Sequence, residues 1–192
     1  AVLGDSTFIH SGITGLINSV YNGSNTTVII LDNRITAMTG HQDNPASGAN
    51  IKGEPAQALN LEELCRAIGV RRVTVVNPHD IEATRKVLKK ELAENETSVI
   101  ISRAPCVLLP SEIKRKKPVY ATDTAKCTGC MACIKLGCPA ISWQPLSPEE
   151  AVARGYKKKQ KGYSLIAEVQ CNGCGQCADV CKFGAIACRE VW

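Results

Sequence analysis

Little in this sequence suits a membrane or export. No run approaches the ~18 consecutive apolar residues of a spanning helix, and the longest apolar stretch, Val28 to Leu31, has strand length. The opening Ala1-Val2-Leu3-Gly4-Asp5 lacks the basic region of a secretory signal. An initiator Met is missing too, and Ala1 reads as a cut inside a larger polypeptide. Cysteine is nearly absent from the first 105 residues, where Cys65 stands alone. Nine of the eleven cysteines lie between Cys127 and Cys188. That asymmetry speaks against a disulfide framework and for metal ligation in a reducing, cytoplasmic compartment.

Net charge is +5, unevenly placed. Residues 1–105 hold ten Lys/Arg against eleven Asp/Glu, whereas residues 106–126 hold five against two and residues 127–192 eight against five. The runs Lys114–Lys117 and Lys157–Lys161 raise a nucleic-acid reading. An alternative accounts for them better: metal-bound thiolates carry net negative charge, which nearby cations offset.

Along the first 110 residues, strand-like and helical stretches alternate. Val2-Leu3 reads as a strand ending at Gly4-Asp5-Ser6, and Ser11 to Tyr21 has helical apolar spacing, stopped by Asn22-Gly23. Thr26 to Leu31 is a β-branched run suited to a buried parallel strand. After a polar loop from Asp32 to Gly53, Asn60 caps a helix ending at Gly69. A strand at Val73–Val76, a helix from Asp80 to about Leu92 and a strand at Ser98–Ser102 follow. This order implies an α/β parallel sheet with right-handed crossovers, with ligands at the carboxyl ends of its strands. Residues 111–126 read as a linker.

Two copies of one cysteine pattern follow. The first is Cys127-x2-Cys130-x2-Cys133-x4-Cys138-Pro139; the second is Cys171-x2-Cys174-x2-Cys177-x3-Cys181. Three thiolates at two-residue spacing wrap one side of a [4Fe–4S] cube, and a remote fourth closes it. In two-cluster ferredoxins the fourth cysteine of each run serves the other cluster. That rule assigns Cys127, Cys130, Cys133 and Cys181 to one cluster, and Cys171, Cys174, Cys177 and Cys138 to the other. Gly129, Gly173 and Gly175 free the loop backbone for positive φ. Zinc sites use paired CxxC motifs, not a repeated triplet plus one. The first run has an extra residue, Gly137, and the second has Lys182 where Pro is usual. Residues 127–192 therefore read as an α+β, two-cluster bacterial-ferredoxin-like domain. Cys188 and Cys65 read as buried apolar residues, and nothing assigns Cys106 a role.

The pair Gly4-Asp5-Ser6 and Asp32-Asn33 falls at two strand ends. A carboxylate from Asp5, a side-chain carbonyl from Asn33 and the backbone carbonyl of Ile35 form an oxygen set suited to Mg²⁺ bridging phosphates. Amides after Gly4-Asp5-Ser6 can meet phosphate charge. The stretches Gly4-Asp5-Ser6-Thr7-Phe8-Ile9-His10 and Asp32-Asn33-Arg34-Ile35-Thr36-Ala37-Met38-Thr39-Gly40-His41-Gln42, with the C-terminal cysteine runs, resemble the 2-oxoacid:ferredoxin oxidoreductases, nearest the branch acting on indolepyruvate. The resemblance extends over essentially the whole chain. It implies the later part of a thiamine diphosphate-binding (pyrophosphate) domain over residues 1–110. By the same resemblance Gly4, Asp5, Ser6, Thr7, Asn33, Ile35, Thr39, Gly40 and Gln42 lie at the cofactor, Asp5, Asn33 and Ile35 hold Mg²⁺, and His10 and His41 are acid–base candidates.

It further implies oxidative decarboxylation of an aryl-pyruvate to an aryl-acetyl-CoA, electron transfer to ferredoxin, and a smaller partner subunit. No residue here fits the glutamate that activates the thiamine ring, so the piece alone should be inactive. The competing readings are a dicluster electron carrier without catalysis and a sibling enzyme acting on pyruvate or branched-chain 2-oxoacids.

Overall fold

Thr27–Asp32 (β2) is β-branched and continuous, and it occupies the interior of a four-stranded sheet ordered β1-β2-β4-β3. The computed structural model describes residues 1–114 and 118–189. Strands β1 (Val2–Gly4), β3 (Arg72–Val76) and β4 (Ser98–Arg103) complete the sheet, and every pairing in it is parallel. Parallel sheets need cover on both faces. The core accordingly joins Val28, Ile30, Val99 and Ile101 of the strands to Phe8, Leu16, Leu61 and Cys65 of the helices.

The first helical stretch begins earlier than the apolar spacing predicts. It opens at Asp5 with α1 (Asp5–Thr7), widens to a π-helical turn at Phe8–Gly12, and continues as α2 (Ile13–Tyr21). The wide turn fits local packing: a Cβ on Gly12 would meet Leu3 Cδ1 at 2.6 Å and Phe8 Cδ2 at 3.1 Å. Helix α3 (Leu61–Ala67) is capped by Asn60, whose side chain accepts from the amides of Glu62 and Glu63. Asp80 caps α4 (Ile81–Leu92) through the Ala83 amide. Each such cap contributes about 1 kcal/mol.

Chain contacts divide the molecule into two compact units, Ala1–Arg115 and Lys116–Trp192. The stretch expected as a linker is not structureless. Helix α5 (Pro110–Lys114) ends the first unit, and β5 (Val119–Thr122) pairs antiparallel with β8 (Ile186–Arg189) in the second. Residues 115–117, and with them most of the Lys114–Lys117 run, lie outside the described residues.

In the second unit β6 (Ile141–Pro145) and β7 (Gly162–Ile166) form another antiparallel pair. Helix α6 (Pro148–Ala153) stands between them, opened by a Ser147–Glu150 capping box, and the short α7 (Gln176–Asp179) lies between the cysteines of the second run. Cys188, expected buried, is exposed. It sits on β8, a strand with a single partner, and three of that strand's four residues face water. Among the described residues no helix is long and apolar enough to cross a membrane.

Candidate functional site

The register of β1 on β2, with Gly4 opposite Leu31, sets the residues that follow these strands side by side. Asp5 is 2% exposed and forms no ion pair among the described residues. One carboxylate oxygen accepts from the Ser6 amide at 2.7 Å; the other faces Asn44 Nδ2 at 3.5 Å. Burial pushes the Asp5 pKa above its ordinary 3.8, against the lowering effect of these hydrogen bonds. A buried carboxylate without a cation is costly.

Asn33 begins a tight turn, its Oδ1 accepting from the Ile35 amide at 3.2 Å. The turn holds Arg34 at φ 64°, a left-handed conformation rare for a long side chain. Buried Ile35 follows.

Asp32, 1% exposed, anchors this turn. Its Oδ2 accepts from Arg103 Nε at 2.6 Å, and its Oδ1, which makes no hydrogen bond, lies 3.4 Å from Arg34 Nε. Arg103 also grips Glu62 with both terminal nitrogens, at 3.1 and 3.2 Å, holding that carboxyl below the usual carboxylate range.

The segment 36–42 closes on itself. The Thr36 amide donates to the Gln42 carbonyl at 2.9 Å, Thr39 Oγ1 donates to Gln42 Oε1 at 2.6 Å, and Gln42 Nε2 donates to the Thr39 carbonyl at 2.6 Å. Thr39, Gly40 and Gln42 thus form a self-bonded, exposed loop tip. His41 is exposed with φ 63°, and its Nε2 lies 3.9 Å from Cys106 Sγ. His10 is exposed in the π-helical turn, its Nδ1 2.9 Å from Ser11 Oγ.

Three residues here escaped the sequence reading. Buried Asn44 links Asp5 to Thr36, its Nδ2 lying 3.4 Å from Thr36 Oγ1. Arg103 braces Asp32. Cys106, through its amide on the Asn33 carbonyl at 3.0 Å, lies against the turn. Asn44 is 39 residues from Asp5, and no local pattern marks such a pair.

In the second unit, Cys127, Cys130, Cys133 and Cys181 line one cavity, and Cys138, Cys171, Cys174 and Cys177 line another. Each cavity takes three thiols from one run and one from the other. Burial, then neighbouring Cys174 and Cys171, push the Cys177 thiol up to about 11. A buried thiol raised in this way is unfavourable as a free thiolate, a cost that bound positive charge offsets. Among the described residues no three His, Cys, Asp or Glu side chains converge on a single ion position. A cube whose four thiolates bind four separate irons does not require them to.

Gly129, Gly173 and Gly175 all take positive φ, at 71°, 74° and 82°. Gly137, the extra residue of the first run, sits at φ 67° as the left-handed end of a short 3-10 turn, which absorbs the insertion. Cys65 is fully buried, and burial lifts its thiol to about 11, leaving it inert.

Residues 1–102 match the family described as thiamine pyrophosphate enzyme, C-terminal TPP binding domain, and residues 114–186 match the 4Fe-4S dicluster domain. The indolepyruvate oxidoreductase subunit IorA of Pyrococcus horikoshii is 41% identical over 190 residues, which cover 96% of this chain and 27% of that protein. The subunit of the same name from Archaeoglobus fulgidus is 38% identical over 189 residues, covering 97% and 28%. The chain thus spans little more than a quarter of the length of these relatives. A solved 2-oxoglutarate:ferredoxin oxidoreductase from Magnetococcus marinus, with 2-oxoglutarate, coenzyme A and succinyl-CoA bound, is similar with a TM-score of 0.50 and 18% identity. That match covers 55% of this chain and 39% of the other, and it is a likeness of fold.

Proposed function

The chain belongs to the thiamine pyrophosphate enzymes, and on that premise we propose that it is the diphosphate-holding and electron-exit part of an oxidoreductase acting on aryl-pyruvates, indolepyruvate first among them. The products are an aryl-acetyl-CoA, carbon dioxide and two electrons delivered singly to ferredoxin. The observation that supports this reading is the presence in one chain of a buried, cation-free Asp5 beside the Asn33 turn and of two thiol-lined cavities.

Asp5, Asn33 and the Ile35 carbonyl hold Mg²⁺. Gly4 leaves open space where a side chain would stand, and Ser6 and Thr7 lie in the first turn of the helix, whose amides would meet the diphosphate. Thr39, Gly40 and Gln42 would border the cofactor, and His10 and His41 would carry protons for it. Cys127, Cys130, Cys133 and Cys181 hold one [4Fe–4S] cluster, and Cys171, Cys174, Cys177 and Cys138 hold the other. When bound, thiamine diphosphate supplies the carbon chemistry of decarboxylation and the clusters supply one-electron storage. The activating glutamate lies outside this piece, and a smaller subunit completes the enzyme.

The test is anaerobic reduction of a viologen dye by the complete subunit with its partner and CoA, comparing indolepyruvate, phenylpyruvate and pyruvate. Dye reduction with the aryl substrates that depends on thiamine diphosphate is the expected result. Preference for pyruvate would move the enzyme to a sibling branch, and no turnover in protein retaining its iron would leave only an electron carrier.

A further inference from the structure

Charge is distributed unequally around the two thiol-lined cavities of the second unit. Beside the cavity of Cys127, Cys130, Cys133 and Cys181 lies the turn 157–161, closed by the Gln160 amide on the Lys157 carbonyl at 2.8 Å. Gln160 fastens this turn to the cluster loop, its Nε2 donating to the Cys127 carbonyl at 2.9 Å. The backbones approach so closely that a Cβ on Gly129 would stand 2.6 Å from the Gly162 carbonyl. The turn that carries Lys157, Lys158, Lys159 and Lys161 is thereby held against the loop of Cys127 and Gly129. All four are exposed, and none forms an ion pair among the described residues. Lys182, next to Cys181, is another exposed cation. Met131 and Phe183 line the cavity and are 41% and 52% exposed.

Among the described residues the cavity of Cys138, Cys171, Cys174 and Cys177 has no comparable run of lysines; Lys135, exposed, stands next to its lining residue Leu136. Within the second run stands exposed Asp179, before it Glu168, which Arg189 meets at 3.4 Å, and after it Lys182. If the lysines served only to offset cluster charge, both cavities would need them, since each cluster with its thiolates carries roughly −2 when oxidised. Exposed lysines also screen buried charge poorly. A small apolar centre ringed by one sign of charge instead suits a brief, electrostatically steered encounter.

We infer that this face is the docking surface for a small acidic one-electron carrier protein, and that the electron leaves from the cluster held by Cys127, Cys130, Cys133 and Cys181. The inference rests on the oxidoreductase reading above. In the transfer the reduced cluster loses one electron and the carrier's own centre gains it; no bond forms or breaks and no proton moves. The two electrons of one turnover therefore leave in two visits.

The experiment uses the complete subunit with its partner subunit and compares the native enzyme with the triple variant Lys157→Glu, Lys158→Glu, Lys159→Glu. A viologen and an acidic ferredoxin serve as alternative acceptors. The variant is expected to raise the KM for ferredoxin about tenfold and to blunt its dependence on ionic strength. Viologen reduction and iron content should stay as in the native enzyme, and the triple Lys→Arg variant should restore ferredoxin kinetics. Unchanged ferredoxin kinetics in the Glu variant, with normal dye reduction, would overturn the docking surface alone. Loss of iron together with both activities would place the lysines in cluster retention and overturn it as well. Failure of the native complex to reduce either acceptor would remove the oxidoreductase reading, and the surface with it.

Discussion

In the first unit Phe8, Leu16, Ile30, Val99 and Ile101 are each at most 2% exposed and pack with the buried faces of the sheet and helices into one apolar core. In the second unit the corresponding buried cluster is Cys133, Cys177 and Ile186, and two of its three members are cysteines of the thiol-lined cavities. The two units therefore secure their folds by different means. The first rests on a contiguous buried hydrocarbon core. The second is too small to do so and depends on ligation, as small metal-binding domains do.

Removal of iron is the largest test of this contrast. Chelation under reducing conditions should strip the second unit of protease resistance across 118–189 while the first keeps its own; equal survival of both units would break the comparison. Next comes Ile30→Ala, which should destabilise the first unit by about 2–5 kcal/mol, measured by denaturant unfolding, and leave iron–sulfur absorbance unchanged.

A smaller effect sharpens the comparison within the first unit. Asn44→Ala should weaken Mg²⁺-dependent thiamine diphosphate binding by the complete subunit about 10-fold or more, read by calorimetry. The same titration has a pH dependence whose sign follows from Asp5. Its folded-state pKa is raised above 3.8 by burial. In the metal-free protein the ionised carboxyl therefore opposes folding above that raised value, and the penalty fades as pH falls through it toward 3.8. Mg²⁺ needs the carboxylate, so metal affinity should drop over the same interval; a flat profile would separate Asp5 from the metal. The smallest expected effect is Asn60→Ala, about 1 kcal/mol from a lost cap, confined to unfolding of the first unit.

Legibility in the sequence follows locality. The caps at Asn60 and Asp80, the β-branched strands and the cysteine triplets depend on neighbours within one turn or one loop, and each was readable. Strand β5 was not, because Val119–Thr122 is short and finds its hydrogen bonds only in Ile186–Arg189. Cys188 was misplaced for a related reason: an apolar side chain on a two-stranded ribbon has no second layer to bury it. Asn44 and Arg103 left no pattern because their partners, Asp5 and Asp32, lie far along the chain.

By itself the sequence determined the element order of the parallel sheet, the residue types able to ligate metal, and the spacing that groups the thiols, since each is set by covalent neighbours and short-range geometry. Tertiary structure alone decided which buried side chains brace Asp5 and Asp32, which half of the expected linker becomes a strand, and which thiol-lined cavity the lysine turn borders. Those outcomes depend on segments that meet only when β1, β2 and β4 come into register and when the 157–161 turn closes on Cys127.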